Sequence, residues 1–181
     1  MNKIKVLDKT FRLYIPQHDI ENAIQKVADS INRDMRGKNP VFVVVLNGAF
    51  MFASELFKRI NIDCEICFVK LSSYESTHST GNVKQVIGIG RPIENRNVVI
   101  VEDIIDTGQT VRYALDYLRQ LGAADVKIST LFFKPKAFQY DYPIDYVAMN
   151  IENEFIVGYG LDYNQRGRNL ADVYILDEKS E

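Results

Sequence analysis

The densest run of residues able to do chemistry is Glu102-Asp103-Ile104-Ile105-Asp106-Thr107-Gly108-Gln109-Thr110. It follows Val98-Val99-Ile100-Val101, whose continuous β-branched character reads as a strand buried on both faces, and it precedes a helical pattern. Asp106, Thr107, Gly108, Gln109 and Thr110 therefore predict a tight loop opening a helix. The first amides of a helix lack intrahelical partners, and the helix dipole adds positive potential. With two hydroxyls beside them, such amides suit a monoester phosphate. Glu102 and Asp103 repel phosphate, but they accept hydrogen bonds from sugar hydroxyls and can hold Mg²⁺ directly or through water. Cradle and acid pair together ask for a ligand with phosphate at one end and vicinal hydroxyls a few ångströms away, as in ribose 5-phosphate. The competing account is a helix cap at Asp106 or Thr107 beside a solvated acid pair. It serves better for any single residue and worse for all of them at the end of one hydrophobic strand.

The elements that must hold this loop are legible in outline. Ile20, Ile24, Val27, Ile31 and Met35 recur at helical spacing, with Asp19 as the expected N-cap and Gly37 as the stop. Val41–Leu46 reads as a buried strand, Asn47-Gly48 as a turn, and Ala49 to Arg59 as a helix with Phe52, Leu56 and Ile60 inward. Ile62, Cys64, Ile66 and Phe68 alternate with polar positions and predict a strand. The thirteen-residue, largely polar segment from Leu71 to Val83 reads as a long loop. A strand at 86–89 and a turn at 94–97 come next. Val111, Leu115, Leu118 and Leu121 give a helix ending at Gly122, and Val126–Phe133 a third buried strand. Ile144–Met149, Phe155–Tyr159 and Val173–Leu176 are shorter strand candidates. Alternating strands and helices imply an α/β fold with a largely parallel sheet and right-handed crossovers. Ligands in such folds bind beyond the carboxyl ends of the strands, which directs attention to the loops after Leu46, Val101 and Phe133.

Bulk properties exclude several classes. The chain has 181 residues, 46% hydrophobic and 25% charged, which fits one globular domain. A net charge of −2 and a pI near 5.8 give no basic excess, so nucleic acid is not an expected partner. The Val41–Leu46 run is far short of the roughly 20 apolar residues that span a bilayer, and the first residues hold no apolar signal core. No membrane partner is expected, and a cytoplasmic setting is the default. The two cysteines, Cys64 and Cys67, lie three apart in an alternating segment and so face opposite sides. With no second pair they read as structural rather than as a zinc or redox site. His18 and His78 stand alone, and neither a Walker A loop nor a full Gly-x-Gly-x-x-Gly occurs.

The segment 98–110 closely resembles the phosphoribosyl diphosphate (PRPP) signature of the type I phosphoribosyltransferases, in particular their hypoxanthine-guanine branch. The resemblance covers most of the chain. Leu46-Asn47-Gly48 falls at the family's pyrophosphate loop. Ser73-Tyr74 with His78-Ser79-Thr80-Gly81-Asn82-Val83 is similar to its catalytic lid. Lys134 falls at its purine-contacting lysine, 155–163 resembles its purine-stacking segment, and Arg168 matches its pyrophosphate-binding arginine. The implied fold is a single domain over 1–181, a mainly parallel sheet flanked by helices, with a hood from the N- and C-terminal segments and a flexible lid.

The same resemblance implies the roles. PRPP would be held by Glu102, Asp103, Asp106, Thr107, Gly108, Gln109 and Thr110, and its pyrophosphate by Asn47, Gly48 and Arg168. Mg²⁺ is the implied cofactor, with Glu102, Asp103 and Asp162 as candidates to hold it. Asp106 would exchange a proton with the purine imidazole nitrogen. Lys134 would donate to the 6-oxo group of hypoxanthine or guanine, Phe155 would stack on the ring, and the main chain of Ile156 and Asp162 would read its edge. Ser73 and Tyr74 are the lid candidates. Without the family, Lys134 reads as a solvated lysine, Phe155 as a core ring and Arg168 as a surface arginine. Asn47 stands where many relatives carry a basic residue and is expected to act through its backbone N–H. Glu154 puts an acid near the expected base pocket. A homodimer or homotetramer is implied by resemblance only. A xanthine-preferring enzyme and a PRPP-sensing regulator of nucleic acid are the alternatives, and the absence of a basic stripe weighs against the second.

Overall fold

Two runs of β-branched residues set the centre of the molecule. The computed structural model describes residues 3–73 and 83–177. In it β3 (Val41–Leu46) and β6 (Asn97–Ile105) lie side by side in parallel, Val41 opposite Val98 through Val44 opposite Val101. Their side chains alternate between two apolar clusters. Phe42, Val44, Val99 and Val101 pack with α1 (Gln17–Asp34) and α2 (Phe50–Phe57). Val41, Val43, Val98 and Ile100 pack with α3 (Gln109–Gln120). All eight are essentially fully buried, and each contributes about 1.5–3 kcal/mol of burial free energy.

Around this centre the large sheet has the order β5-β4-β3-β6-β7-β8, with β4 (Glu65–Ser73), β5 (Val83–Ile87), β7 (Asp125–Phe133) and β8 (Tyr146–Asn150). Only β5 runs antiparallel to its neighbour, so the expected mainly parallel α/β architecture holds. The chain leaves β3 toward β4 on one side and later builds β6 on the other. That reversal opens a crevice at the carboxyl ends of β3 and β6.

A second, antiparallel sheet of order β1-β2-β10-β9 draws its strands from both ends of the chain. It comprises β1 (Lys3–Val6), β2 (Lys9–Ile15), β9 (Ile156–Val157) and β10 (Val173–Leu176). Phe11, Val6, Val157 and Tyr174 form its core. The β1–β2 hairpin carries no turn signature in the sequence, since the chain reverses at Leu7 with φ 54° instead of at a glycine or asparagine.

Several expected boundaries move. The first helix starts after Pro16, and Asp19 sits inside its first turn instead of capping it. The capping acceptor comes from far away: Gln17 N donates to Asp172 Oδ1 at 2.8 Å. The strand expected at 62–68 begins at Glu65 and runs to Ser73, with Cys67 and Val69 buried and Phe68 43% exposed. Cys64 and Cys67 do fall on opposite sides of the sheet, in different clusters, and both are free thiols. Leu121, expected inward, lies past the end of α3 and is exposed. The strand expected at 86–89 is 83–87, and the loop expected over 71–83 contributes its ends to β4 and β5. Among the described residues no helix is long and apolar enough to cross a membrane.

Candidate active site

The acid pair is part of a strand. β6 continues past Val101 because Glu102 and Ile104 keep their pairing with Thr130 and Phe132 of β7. Only after Ile105 does the chain turn, and Gly108 (φ 90°) caps α3 in the left-handed region. A side chain at Gly108 would place its Cβ 2.5 Å from Phe138 Cε2 and 2.8 Å from Tyr142 Oη. Glycine is therefore required by conformation and by space. Residues 102–111 line a cleft of about 270 Å³. A larger depression of about 550 Å³ lies at the opposite edge of the sheet, before β3 and β4, among Arg36, Asn39, Asn61 and Asp63. Volume alone therefore does not mark the site, whereas the crevice between β3 and β6 does.

Glu102 is buried, and its Oε2 has no hydrogen-bond partner among the described residues. Burial and, after it, the neighbouring Asp103 charge push its carboxyl well above the usual range. Asp103 is half-buried at the cleft mouth. Burial raises its carboxyl to about 6, against the opposing pull of the Ile104 amide, which donates to Oδ1 at 3.0 Å, and of the Arg168 charge. Burial thus makes ionisation of both acids costly in the folded chain.

Three backbone approaches knit the remaining loops onto this pair. The Leu46–Asn47 peptide is cis. A Cβ on Gly48 would fall 1.5 Å from Asp103 Oδ2, and one on Gly160 would fall 2.1 Å from the Gly48 carbonyl oxygen. Arg168 then closes the group. Its Nη1 donates to Gly160 O at 2.7 Å and its Nη2 pairs with Asp162 Oδ1 at 2.6 Å. Asp162 Oδ2 also accepts from Gln165 N at 2.7 Å. Asn47–Gly48, Asp103, Asp162 and Arg168, far apart in sequence, are therefore one contact group.

On the other side of the turn, Lys134 follows β7 and is 8% exposed. This is no solvated lysine. Its Nζ donates to Asp106 Oδ2 at 3.0 Å, and its amide donates to Ile105 O at 2.9 Å. Thr107, Gln109 and Thr110 are exposed at the cleft. Phe155 is 46% exposed and not a core ring. Phe11 and Tyr163 brace it, with centroids 6.2 and 5.9 Å away. Ile156 is buried in β9, beside β10. Ser73 is the last residue of β4, while Tyr74 and His78 lie outside the described residues.

Two contributors escaped the sequence. Gly160 carries no motif that announces its contact with Gly48. Phe138 and Tyr142, against the Gly108 turn, belong to an aromatic run Phe138-Gln-Tyr140-Asp-Tyr142 that is visible in the sequence.

A sheet switch point with an acid pair, an amide-rich turn and a buried lysine paired with an exposed aspartate at its mouth defines a class. The chain belongs to the phosphoribosyl transferase domain family, which matches residues 14–164. The hypoxanthine-guanine phosphoribosyltransferase of Streptococcus thermophilus is 42% identical over 169 residues, covering 93% of this chain and 94% of that protein. The protein of the same name from Streptococcus mutans is 44% identical over 155 residues, covering 85% and 86%. Among solved structures, a hypoxanthine phosphoribosyltransferase from Staphylococcus aureus superposes with a TM-score of 0.87 at 37% identity, covering 93% of this chain and 92% of that one.

Proposed function

We propose that this chain transfers the 5-phosphoribosyl group of PRPP to hypoxanthine, and to guanine, giving IMP or GMP and pyrophosphate in purine salvage. The observation that carries the reading is the placement of the buried Lys134 ammonium 3.0 Å from Asp106 at the phosphate turn. One group donates to a 6-oxo oxygen and the other exchanges a proton with the imidazole ring of the same base. An adenine 6-amino group would meet a donor there and be rejected.

In this reading the amides of Gly108 to Thr110 and the hydroxyls of Thr107 and Thr110 hold the 5-phosphate. Glu102 and Asp103 take the ribose hydroxyls. The purine nitrogen displaces pyrophosphate at the anomeric carbon through an oxocarbenium-like state, so positive charge grows on the sugar as negative charge grows on the leaving group. Arg168 offers a fork to that group, the Asn47–Gly48 backbone borders it, and Phe155 stacks on the base. Ser73 and Tyr74 are proposed to shield the centre from water.

A divalent cation fits the residues present. Glu102 Oε2 is an orphaned buried oxygen, and Glu102, Asp103, Asp106 and Asp162 outnumber Lys134 and Arg168 at a site meant for a polyanion. Among the described residues no group of three or more His, Cys, Asp or Glu is placed to cage a metal. That agrees with Mg²⁺, which takes one or two carboxylates and completes its shell with water and substrate phosphate. Glu102 and Asp103 would hold it. Asp162, with both oxygens already engaged, would do so through water. When bound, the ion neutralises charge on the leaving pyrophosphate.

The test is purified protein with PRPP, Mg²⁺ and each of hypoxanthine, guanine, xanthine and adenine, following nucleoside monophosphate by chromatography. Hypoxanthine turnover is expected, with adenine inert. Turnover of xanthine alone, or of none, overturns the reading. Light scattering on the same sample tests the dimer or tetramer.

A further inference from the structure

The turn that cradles the phosphate is held from behind by residues 134–142, a segment with no assigned part in the reaction beyond Lys134. Gln139 N donates to Thr107 O at 3.1 Å. Tyr142 Oη donates to Gly108 O at 2.5 Å, and the same carbonyl also accepts from Arg112 N at 2.9 Å. The Phe138 ring packs under Gly108 and meets Tyr142 edge-on, with centroids 5.1 Å apart. Tyr140 stacks on the far side of Tyr142 at 5.5 Å. Burial pushes the Tyr142 hydroxyl up to about 12, so it stays a donor throughout the working range.

The consequence follows from amide geometry. Among the described residues the one cis peptide is Leu46–Asn47, so the peptides after Thr107 and Gly108 are trans. In a planar trans unit the C=O and the next N–H point in opposite directions. A carbonyl of Thr107 fixed toward Gln139 aims Gly108 N–H away from the brace. A carbonyl of Gly108 fixed toward Tyr142 does the same for Gln109 N–H, whose one internal partner is the Thr107 hydroxyl at 3.4 Å. Both donors are left facing the cleft.

We infer that Tyr142 is a positioning residue for phosphoryl recognition. Its hydroxyl locks the Gly108 carbonyl and so presets the amides that grip the 5-phosphate. The inference deepens the proposed function and rests on it.

Tyr142→Phe tests it, because the variant keeps the ring packing and leaves Gly108 O its bond from Arg112. The fold is thereby retained. Calorimetry with ribose 5-phosphate is the first measurement, and steady-state kinetics with IMP and inosine as inhibitors the second. The variant is expected to lose about 3- to 10-fold in ribose 5-phosphate and IMP affinity and in KM for PRPP, the range of one neutral hydrogen bond. KM for hypoxanthine and inhibition by inosine, which lacks the phosphate, should stay within about twofold, a split that a merely structural role does not produce. Unchanged ribose 5-phosphate affinity, or equal losses for IMP and inosine, overturns the positioning role alone. Failure of the parent protein to bind ribose 5-phosphate overturns the proposed function itself.

Discussion

Replacing Asp103 with asparagine should make the ligand-free protein more stable while destroying its activity. The carboxyl rises from 3.8 to about 6, first through burial, with the Ile104 amide and Arg168 opposing only part of that. A folded pKa above the unfolded one means that the native chain binds the proton more tightly. Stability therefore falls as pH rises from about 4 to about 6, and the full penalty persists above. The difference between 3.8 and about 6, at about 1.4 kcal/mol per pH unit, amounts to about 3 kcal/mol. Solvent at the cleft mouth screens a half-buried group, so about 1–3 kcal/mol is the expected size.

Asparagine keeps an oxygen for the Ile104 N–H and cannot ionise. The variant should melt several degrees above the parent at pH 7.5, at about 2–4 °C per kcal/mol for a chain of this size. The gain should shrink as pH drops through 6 and vanish near 4. The assay is thermal unfolding in EDTA at several pH values, paired with turnover at pH 7.5. Mg²⁺ with PRPP should raise the parent's melting point by linkage and leave that of the variant nearly unmoved. A variant less stable than the parent at pH 7.5, or a gain independent of pH, refutes the claim that Asp103 is held ionised against its surroundings.

Three further substitutions probe separate parts of the site. Asp106→Asn keeps an acceptor for Lys134 Nζ and removes the proton-exchanging group. Turnover should fall by about 10²- to 10⁴-fold, with ribose 5-phosphate affinity by calorimetry within a few-fold, and wild-type turnover would remove Asp106 from the chemistry. Gly48→Ala puts a Cβ where Asp103 Oδ2 lies, 1.5 Å away, and forces the carboxylate aside. KM for PRPP should rise at least tenfold at a stability loss of about 1–3 kcal/mol, read by kinetics and urea unfolding, and a silent variant would refute the contact. Lys134→Ala should raise KM for hypoxanthine and guanine by at least tenfold while PRPP affinity holds; collapse of PRPP affinity instead would move Lys134 out of the base pocket.

The parts of the fold legible in sequence are those where one physical signal dominates. Val41–Leu46 and Val98–Val101 are continuous apolar runs because both faces are covered, and the structure buries all of them but the last of the first run, Leu46, which is half-buried. The turn opening α3 was legible because hydroxyls, acids and a glycine cluster at a strand end. What escaped depends on partners distant in the chain. β1 and β2 are short, lysine-bearing and joined without a turn signature, and their sheet is completed by β10 and β9 from the other end of the chain. The strand end at Ile105 was misplaced because Glu102 and Asp103 break the apolar pattern while β7 goes on pairing. Asp19 was the obvious local cap for α1, but Asp172 supplies the oxygen. Within the site, each residue type could be read for its chemistry, whereas the pairing of Lys134 with Asp106 required the sheet order, and that of Arg168 with Asp162 the local fold of the loop between β9 and β10.

Those pairings also bear on why, in the proposed function, a polyanionic substrate would enter with a cation. In the ligand-free chain Lys134 is committed to Asp106, and Arg168 to Asp162 and the Gly160 carbonyl. Both positive charges are therefore offset before any substrate arrives. Glu102 and Asp103, in contrast, are pushed upward by burial, and the Arg168 charge offsets only part of that at Asp103. A phosphate-rich ligand entering alone would meet only the amides of the turn as attraction, and two uncompensated acids as repulsion. A ligand arriving with a divalent cation reverses the balance, because the ion offsets the acid pair and favours its ionised form. The cost of keeping an unpaired acid pair in the folded chain is then recovered in binding, where the stability lost to an active site is commonly spent. In the proposed function Arg168 would exchange Asp162 for pyrophosphate, and Lys134 would exchange Asp106 for a 6-oxo group, each trading one oxygen partner for another. On that proposal the resting site holds its own acids where substrate oxygens would sit, and the reaction would begin with an exchange of partners.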